Sequence, residues 1–161
     1  MLAVAVFRCG GGESSSASAI PEPIADAPID LGGTPVAVAV GAGRVWVADN
    51  SGSRVIELDS MDGNPIGKSI PVAAGPQAIA VGEDGVWVAS GDGTVTRIDP
   101  GTRNARPAPI KIADTGGIAV GEGAVWVTSR ARDTVTRLDP SSLRPVGDPI
   151  PVGLRTDTSK K

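Results

Sequence analysis

Short apolar runs, separated by Gly, Pro, Asn, Asp or Ser, recur along the chain from residue 29 onward. Runs of this length are typical of β-strands, because a helix needs a longer uninterrupted stretch of apolar periodicity. Four runs form a unit, and the unit is written three times. The first runs are 36–40, 78–81 and 118–120, the second 45–48, 86–89 and 125–128, the third 54–58, 94–98 and 134–138, and the fourth 66–72, 109–112 and 149–152.

The period of the repeat is about 40 residues, as the spacing of Trp46, Trp87 and Trp126 shows. Repeats of this length indicate either helical pairs or propeller blades. Gly and Pro interrupt each unit before a helical stripe of apolar residues is established. The sequence therefore predicts an all-β, β-propeller-type fold with about three four-stranded antiparallel blades, which cover residues 36–72, 77–112 and 117–152.

The first and second strands are apolar on both faces, whereas the third alternates, with Arg97 and Arg137 placed among Thr and Val. Inner strands of a propeller are covered on both faces by adjacent blades. We therefore expect the first strand of each unit to lie near the axis and each Trp to pack between blades. Closed propellers have 4 to 8 blades, so three blades make an incomplete ring. The chain is either part of a longer array or completes its ring by self-association through open blade edges, for instance as a dimer.

The residues outside the repeats form two further segments. Residues 1–28 combine an apolar run, MLAVAVF, with Arg8, Cys9 and a Gly- and Ser-rich stretch that predicts a disordered linker. The start fits a clipped membrane helix, a lipoprotein-like signal with Cys9 as the lipidation candidate, or a segment without either role. The first two alternatives predict an extracytoplasmic domain, 29–153, anchored to a membrane through its N-terminus. Residues 154–161 are expected to be a disordered tail.

Composition excludes several classes of function. The net charge is -3, aromatic residues make up 2% of the chain, and no His is present. A protein of this charge lacks the basic surface that a nucleic acid requires, so no nucleic-acid partner is expected. One Cys and no His offer no pattern of metal ligands, and the sequence predicts no metal and no cofactor.

Three stretches of the second repeat resemble a known group of bacterial proteins: GPQAIAVG at 75–82, VWVA at 86–89 and TVTRIDP at 94–100. They resemble the β-propellers of the YVTN and NHL kind, over about residues 29–153. The resemblance implies the propeller fold. Similar repeats occur in secreted binding proteins, in the outer sensor portions of membrane-bound serine/threonine kinases and in streptogramin lyases, so the fold does not decide the function.

Variable polar residues lie in the loops that join the second strand to the third and one blade to the next. We expect these loops to form one face of the propeller and to hold any ligand-binding site. Their recurring aspartates suggest a carboxylate ring for a cation or sugar, although Asp, Asn, Ser and Gly also form turns by themselves. The two arginines fit an anion-binding spot or solvated loop charge. The candidate ligand-binding residues are Asp49, Asn50, Gln77, Asp92, Arg130, Arg132 and Asp133.

Catalysis is not predicted. The streptogramin lyases in the resembling group depend on a His general base and a metal-assisted site, and this chain has no His. Glu83 and Glu122 belong to turns away from the expected site, and Asp99 precedes a Pro, as turn-initiating residues do. The sequence therefore predicts a noncatalytic sensor or binding scaffold for a small molecule, a glycan or a protein. The alternative is a lyase-like or lactonase-like enzyme in truncated form.

Overall fold

The computed structural model describes residues 28–153. The predictions for the N-terminal segment, for Cys9 and for the tail 154–161 lie outside the described residues. Within the described part, no helix has the length and apolar character needed to cross a membrane.

The described residues form twelve β-strands, and in each sheet a two-residue turn joins the first strand to the second. The strands are β1 (Pro35–Gly41), β2 (Arg44–Asp49), β3 (Arg54–Asp59), β4 (Ile70–Pro71), β5 (Pro76–Gly82), β6 (Gly85–Ser90), β7 (Val95–Ile98), β8 (Ala105–Pro107), β9 (Thr115–Gly121), β10 (Ala124–Ser129), β11 (Thr134–Leu138) and β12 (Ile150–Pro151).

Consecutive strands pair into sheets β1–β4, β5–β8 and β9–β12, so the predicted all-β class with four-stranded antiparallel blades is confirmed for the described residues. We call these sheets blades 1, 2 and 3. The first strands of adjacent blades lie next to each other, β1 beside β5 and β5 beside β9. This arrangement places the first strand of each blade on the inner side, where small residues, Ala in β1 and β5 and Gly and Ala in β9, allow close approach.

The fourth strand of blade 2 differs from its predicted position. In blade 2 the fourth strand is Ala105–Pro107, whereas the sequence predicted 109–112. Backbone bonds continue from Ala108 N–H to Val95 O at 2.7 Å and resume from Ile112 N–H to Gly93 O at 2.8 Å. Between them lies Pro109, which has no N–H to donate, so the ladder is interrupted there. The fourth strands of blades 1 and 3 lie within their predicted runs, 66–72 and 149–152, but each is only two residues long.

Apolar side chains join neighbouring blades rather than the two faces of one blade. One buried cluster combines Trp46 and Val55 of blade 1 with Val86 and Val88 of blade 2. The next combines Trp87 and Val95 of blade 2 with the apolar residues of blade 3, namely Val125, Val127, Leu138 and Leu143. The core of the molecule therefore lies between blades, and each blade depends on its neighbour for burial.

Trp46 and Trp87 are completely buried, as expected for residues that pack between blades. Each indole N–H donates to a backbone carbonyl of its own hairpin, Trp46 to Gly41 O at 3.1 Å and Trp87 to Gly82 O at 3.0 Å. A buried indole N–H needs such an acceptor, and the carbonyl of the hairpin lets the ring be fully buried without an unpaired donor. Trp126 is only half-buried because no further blade follows it among the described residues.

We expect the stability of the fold to depend on valines between blades more than on valines at the surface. Val88→Ala should lower the free energy of unfolding by about 2 kcal/mol, because Val88 is fully buried against blade 1. Val146→Ala is the matched control, since Val146 is 43% exposed and should change stability by less than about 0.5 kcal/mol. Urea denaturation measures both, and equal losses would contradict the inter-blade core.

Candidate functional site

The loops that were predicted to hold a binding site lie together at one end of the blades. Residues 50–53, 91–94 and 130–133 join the second strand of a blade to its third, and residues 72–75 and 108–114 join one blade to the next. Antiparallel pairing sends all of these connections to the same end of the sheets. We call this end the top face.

Asp49 ends β2 at the top face, where it is buried, ion-paired and hydrogen-bonded. Its Oδ2 accepts a hydrogen bond from Arg54 Nε at 2.6 Å, and its Oδ1 accepts from Thr34 N–H at 2.8 Å and from Ser51 Oγ at 2.9 Å. Burial by itself raises the pKa of Asp49, but the hydrogen bonds from Arg54, Thr34 and Ser51 outweigh it and lower the pKa to about 2. Asp49 is therefore an ionised anchor of the incoming chain.

Blades 2 and 3 carry a serine at the position of Asp49, and each serine also bonds to the segment that enters its blade. Ser90 Oγ donates to Ala73 O at 3.2 Å, and Ser129 Oγ donates to Ala113 O at 2.5 Å. In each blade this residue ties the segment that enters the blade to the end of the second strand. The role of Asp49 in the described residues is thus structural, and its binding partners are part of the chain itself.

Three of the predicted residues connect neighbouring blades. Asn50 Nδ2 donates to Pro76 O at 3.2 Å, which links blade 1 to blade 2. Arg130 of blade 3 donates to Gln77 Oε1 of blade 2 at 3.0 Å and to Asp114 Oδ1 at 2.7 Å. The hydrogen bond from Arg130 lowers the pKa of Asp114, and the same contact raises the pKa of Arg130. The structure brings Gln77 and Arg130 together, as a bridge across the top of two blades.

Asp92 is engaged in its own loop and with the segment that leaves blade 2. Its Oδ1 accepts from Thr94 N–H at 2.9 Å, which is an Asx turn, and its Oδ2 pairs with Lys111 Nζ at 2.7 Å. Partial burial raises the pKa of Asp92, but the hydrogen bonds from Lys111 and Thr94 leave it lowered overall. Lys111 is therefore ion-paired with Asp92.

The aspartates of the top face occupy different positions in their repeats. Asp49 ends a second strand, Asp92 lies inside a loop, and Asp133 directly precedes a third strand, with a backbone φ of +50°. No group of three or more acidic, His or Cys side chains suited to a metal ion occurs within residues 28–153. The described residues thus do not bring the three aspartates into a carboxylate ring.

Arg132 lies exposed beside a cavity at the outer edge of the top face. The cavity has a volume of about 210 Å³ and lies between blades 2 and 3. Arg132 forms no ion pair with another described residue, unlike Arg130. Apolar and hydroxyl-bearing side chains make up most of the wall. The lining residues are Ile110, Lys111, Ile112, Ala113, Ser129, Arg132, Thr134, Thr136, Pro145 and Pro149.

A larger cavity of about 520 Å³ lies at the opposite end, between blades 1 and 2, and is lined by Glu83, Asp84 and Asp99 among others. Glu83 Oε1 accepts from Gly123 N–H at 3.0 Å, and Asp99 Oδ1 accepts from the N–H groups of Gly101 and Thr102 at 2.9 and 2.7 Å. Two of its three carboxylates therefore accept hydrogen bonds from turns: Glu83 from the β9–β10 turn and Asp99 from its own turn, as the sequence predicted for Asp99. We place the candidate site at the Arg132 cavity, because Arg132 is exposed there and forms no ion pair with another described residue.

Sequence reasoning missed Lys111 and Asp114, which pair with Asp92 and Arg130. Lys111 lies within 109–112, which the sequence predicts as a fourth strand, and Asp114 lies in the loop that follows this run. The signal was present, since residues 108–114 carry a charge at each of two positions where the blade 1 segment 69–75 has none. The predicted binding residues fall into two groups. Most of them make contacts within the top face, namely Asp49, Asn50, Gln77, Asp92 and Arg130. The other two, Arg132 and Asp133, are exposed.

No family model matches the chain, and no curated protein matches it in sequence. Solved structures do match. Virginiamycin B lyase from Staphylococcus aureus is 19% identical with a TM-score of 0.64, and the match covers 75% of this chain and 42% of the lyase. A catalytically inactive His-to-Ala variant of that lyase, solved with quinupristin, matches with a TM-score of 0.61 and 18% identity, over 73% of this chain and 41% of the variant.

Two further structures match in the same way. BamB from Moraxella catarrhalis is 18% identical with a TM-score of 0.63, over 78% of this chain and 39% of BamB. Hydrazine synthase from Kuenenia stuttgartiensis is 19% identical with a TM-score of 0.64, over 76% of this chain and 37% of that chain. All of these proteins are β-propellers, so the described residues have a β-propeller fold. The chain spans about two fifths of the length of these structures.

The ionised state of Asp49 predicts a pH-dependent contribution to stability. Because folding lowers its pKa from 3.8 to about 2, the contribution is complete above about pH 5 and is lost as the pH falls toward 2. Asp49→Asn should therefore lower the free energy of unfolding on the order of 2 kcal/mol at pH 7, and by much less near pH 2. Urea denaturation at several pH values measures the difference between wild type and variant.

Asp148→Asn provides the control for this experiment, because it removes the same charge from an exposed residue. We expect it to change stability by less than about 0.5 kcal/mol at every pH. A loss for Asp49→Asn that stays constant between pH 7 and pH 2.5 would show that the ion pair with Arg54 is not its source.

Proposed function

We propose that this chain is a noncatalytic, extracytoplasmic β-propeller segment that binds a ligand or partner at its top face. The observation that carries the proposal is the Arg132 cavity, where an exposed cation borders an apolar crevice between two blades. Crevices between packed elements, with apolar walls and a few polar groups, are the usual form of a small-molecule site.

The chemistry of the cavity favours a small ligand that carries a carboxylate or another anionic group. The guanidinium of Arg132 offers paired donors to a planar anion, whereas the nearby Lys111 is already paired with Asp92. Ile110, Pro145 and Pro149 provide apolar contact, and the hydroxyls of the wall provide further hydrogen bonds. At about 210 Å³, the volume limits the ligand, or the inserted part of a larger partner, to a group of amino-acid size.

The ionisation of the top face supports a noncatalytic role. Asp49, Asp92 and Asp114 all have lowered pKa values, because each accepts hydrogen bonds from a cationic side chain. A general acid or base works best with a pKa near the operating pH, and these carboxylates are held far from it. The sequence contains no His, the side chain that titrates closest to neutral pH.

A lyase-like enzyme is the second candidate, and the likeness to virginiamycin B lyase supports it. The inactive variant of that lyase has lost one His, and the present 161 residues contain none, which favours the binding role. Cleavage of quinupristin by the purified chain, followed by mass spectrometry, would establish the enzymatic alternative.

The resemblance of the repeats to those of YVTN and NHL propellers supports a sensor or scaffold at the cell surface. The proposed extracytoplasmic location rests on the apolar run before Cys9 and on the Gly- and Ser-rich stretch after it. Fractionation of cells that express the chain, with radioactive palmitate as a label, tests this part of the proposal. Label that disappears in Cys9→Ser supports a lipid anchor, and chain found in the cytoplasm alone contradicts the location.

Benzoate is a suitable probe of the Arg132 cavity, because it combines a carboxylate with an apolar ring. In a titration followed by amide NMR, we expect saturable shifts at residues 110–113 and 129–136. Arg132→Ala should weaken benzoate binding about tenfold, since a charge-assisted hydrogen bond contributes at least about 1.5 kcal/mol.

Two controls make this titration specific. Arg144→Ala removes an exposed arginine that does not line the cavity and should leave the affinity unchanged. Benzyl alcohol has the ring without the charge and should bind more weakly than benzoate. Shifts that do not saturate, or an affinity that Arg132→Ala leaves intact, would overturn the assignment of this cavity.

A further inference from the structure

The two outer blades of the described part each present an apolar face with no blade against it. The valine face of blade 1 consists of Val36, Val38, Val40, Val45 and Val47, and its inner strand is open: Val38 is 64% exposed and Val40 is 72% exposed. Leu31 packs against the outer strands of this face. An exposed row of β-branched residues of this kind marks an interaction surface.

The tryptophan face lies at the other end of the array, on blade 3. It consists of Ala119, Trp126, Thr128, Val135 and Ile150, which share one side of the sheet by their register. Trp126 is half-buried, and Ile150 is 48% exposed. The equivalent residues of blade 1, Trp46 and Ile70, are buried against blade 2.

The two open faces match the two halves of the interfaces already present within the chain. Between blades 1 and 2, Trp46 packs with Ile79, Val86 and Val88 of the following blade. Strand register places Val38, Val45 and Val47 of blade 1 at the positions of these three residues. The tryptophan face of blade 3 and the valine face of blade 1 therefore form a complementary pair, position by position.

A glycine at the end of each first strand gives a more specific indication. A Cβ on Gly41 would lie 2.5 Å from Val81 of blade 2, and a Cβ on Gly82 would lie 3.0 Å from Val120 of blade 3. These two positions are glycine because a valine of the next blade occupies the space. Gly121 ends β9 in the same way, yet nothing lies within 4 Å of its Cβ position. The residue at the matching position of blade 1 is Val40.

The tryptophan face of blade 3 is already arranged as its buried counterparts are. Arg137 lies over the Trp126 ring at 5.7 Å, as Arg97 lies over the buried Trp87 ring at 5.8 Å. Thr128 replaces an alanine of the other blades, but its hydroxyl oxygen accepts from Gly117 N–H at 2.7 Å. The Thr128 hydroxyl therefore keeps a partner when this face is covered.

We propose that the valine face of blade 1 binds the tryptophan face of blade 3 from a second copy of this chain, with Val40 seated on Gly121. Two such contacts, related by a twofold axis, close a ring of six blades. Closed propellers have 4 to 8 blades, and the three described blades of two copies make six. Closure covers the valine face and the tryptophan face of both copies and so buries their exposed apolar side chains.

A disulfide across the inferred contact is the most direct test. In the two internal interfaces, the valine Cβ lies 2.8 and 3.3 Å from the Cβ position of the glycine, so a disulfide, which needs roughly 3.5–4.5 Å, requires the two strands to move apart slightly. In a Cys9→Ser background, Val40→Cys combined with Gly121→Cys should give a covalent dimer on mild oxidation, seen on a nonreducing gel. Met61→Cys combined with Gly121→Cys should give none, because Met61 lies in the β3–β4 connection.

Sedimentation equilibrium of variants without new cysteines provides an independent measurement. We expect wild type to have twice the mass of one chain, and Val40→Lys to have the mass of one chain with an unchanged circular dichroism spectrum. Met61→Lys, at a residue that is 87% exposed and outside both faces, should keep the dimer mass. A wild-type monomer at 100 µM protein, open-ended polymers, or a Val40→Lys dimer would each overturn the proposal.

Discussion

The contact of one blade's tryptophan with the next blade's valines is the interaction on which the rest of the structure depends. A four-stranded blade of this size buries little by itself, and its inner strands are apolar on both faces. Trp46 and Trp87 become fully buried only because blades 2 and 3 cover them. The hydrogen bond from each indole to its own hairpin fixes the ring in place, so the same hairpin provides both the packing residue and its acceptor.

The polar residues of the top face follow from this arrangement, because blades that pack side by side still need their connecting segments held down. Asp49, Ser90 and Ser129 do so at equivalent positions, by side-chain bonds to the incoming chain. Arg130 and Asn50 then join one blade to the next. These side chains are thereby used within the fold, whereas Arg132, beside the cavity between blades 2 and 3, forms no ion pair with another described residue.

Much of the fold could be predicted from the sequence, since the period of about 40 residues and the short β-type runs are local signals. The first three strands of each blade lie where the apolar runs place them. The fourth strand of blade 2 does not, because Pro109 breaks the ladder and pairing shifts to Ala105–Pro107. The site was harder to predict. Pairing of Lys111 with Asp92, and of Arg130 with Gln77, depends on how two blades meet, and sequence spacing does not contain that information.

A double-mutant cycle between Trp87 and Val127 tests the inter-blade contact most directly, since both residues belong to the buried cluster between blades 2 and 3. Trp87→Phe and Val127→Ala would be made singly and together, and the free energy of unfolding measured in urea. We expect the combined loss to differ from the sum of the single losses by about 0.5 kcal/mol or more, because residues that share a packing contact are coupled. Strict additivity would show that the two blades are stabilised independently and would contradict the account.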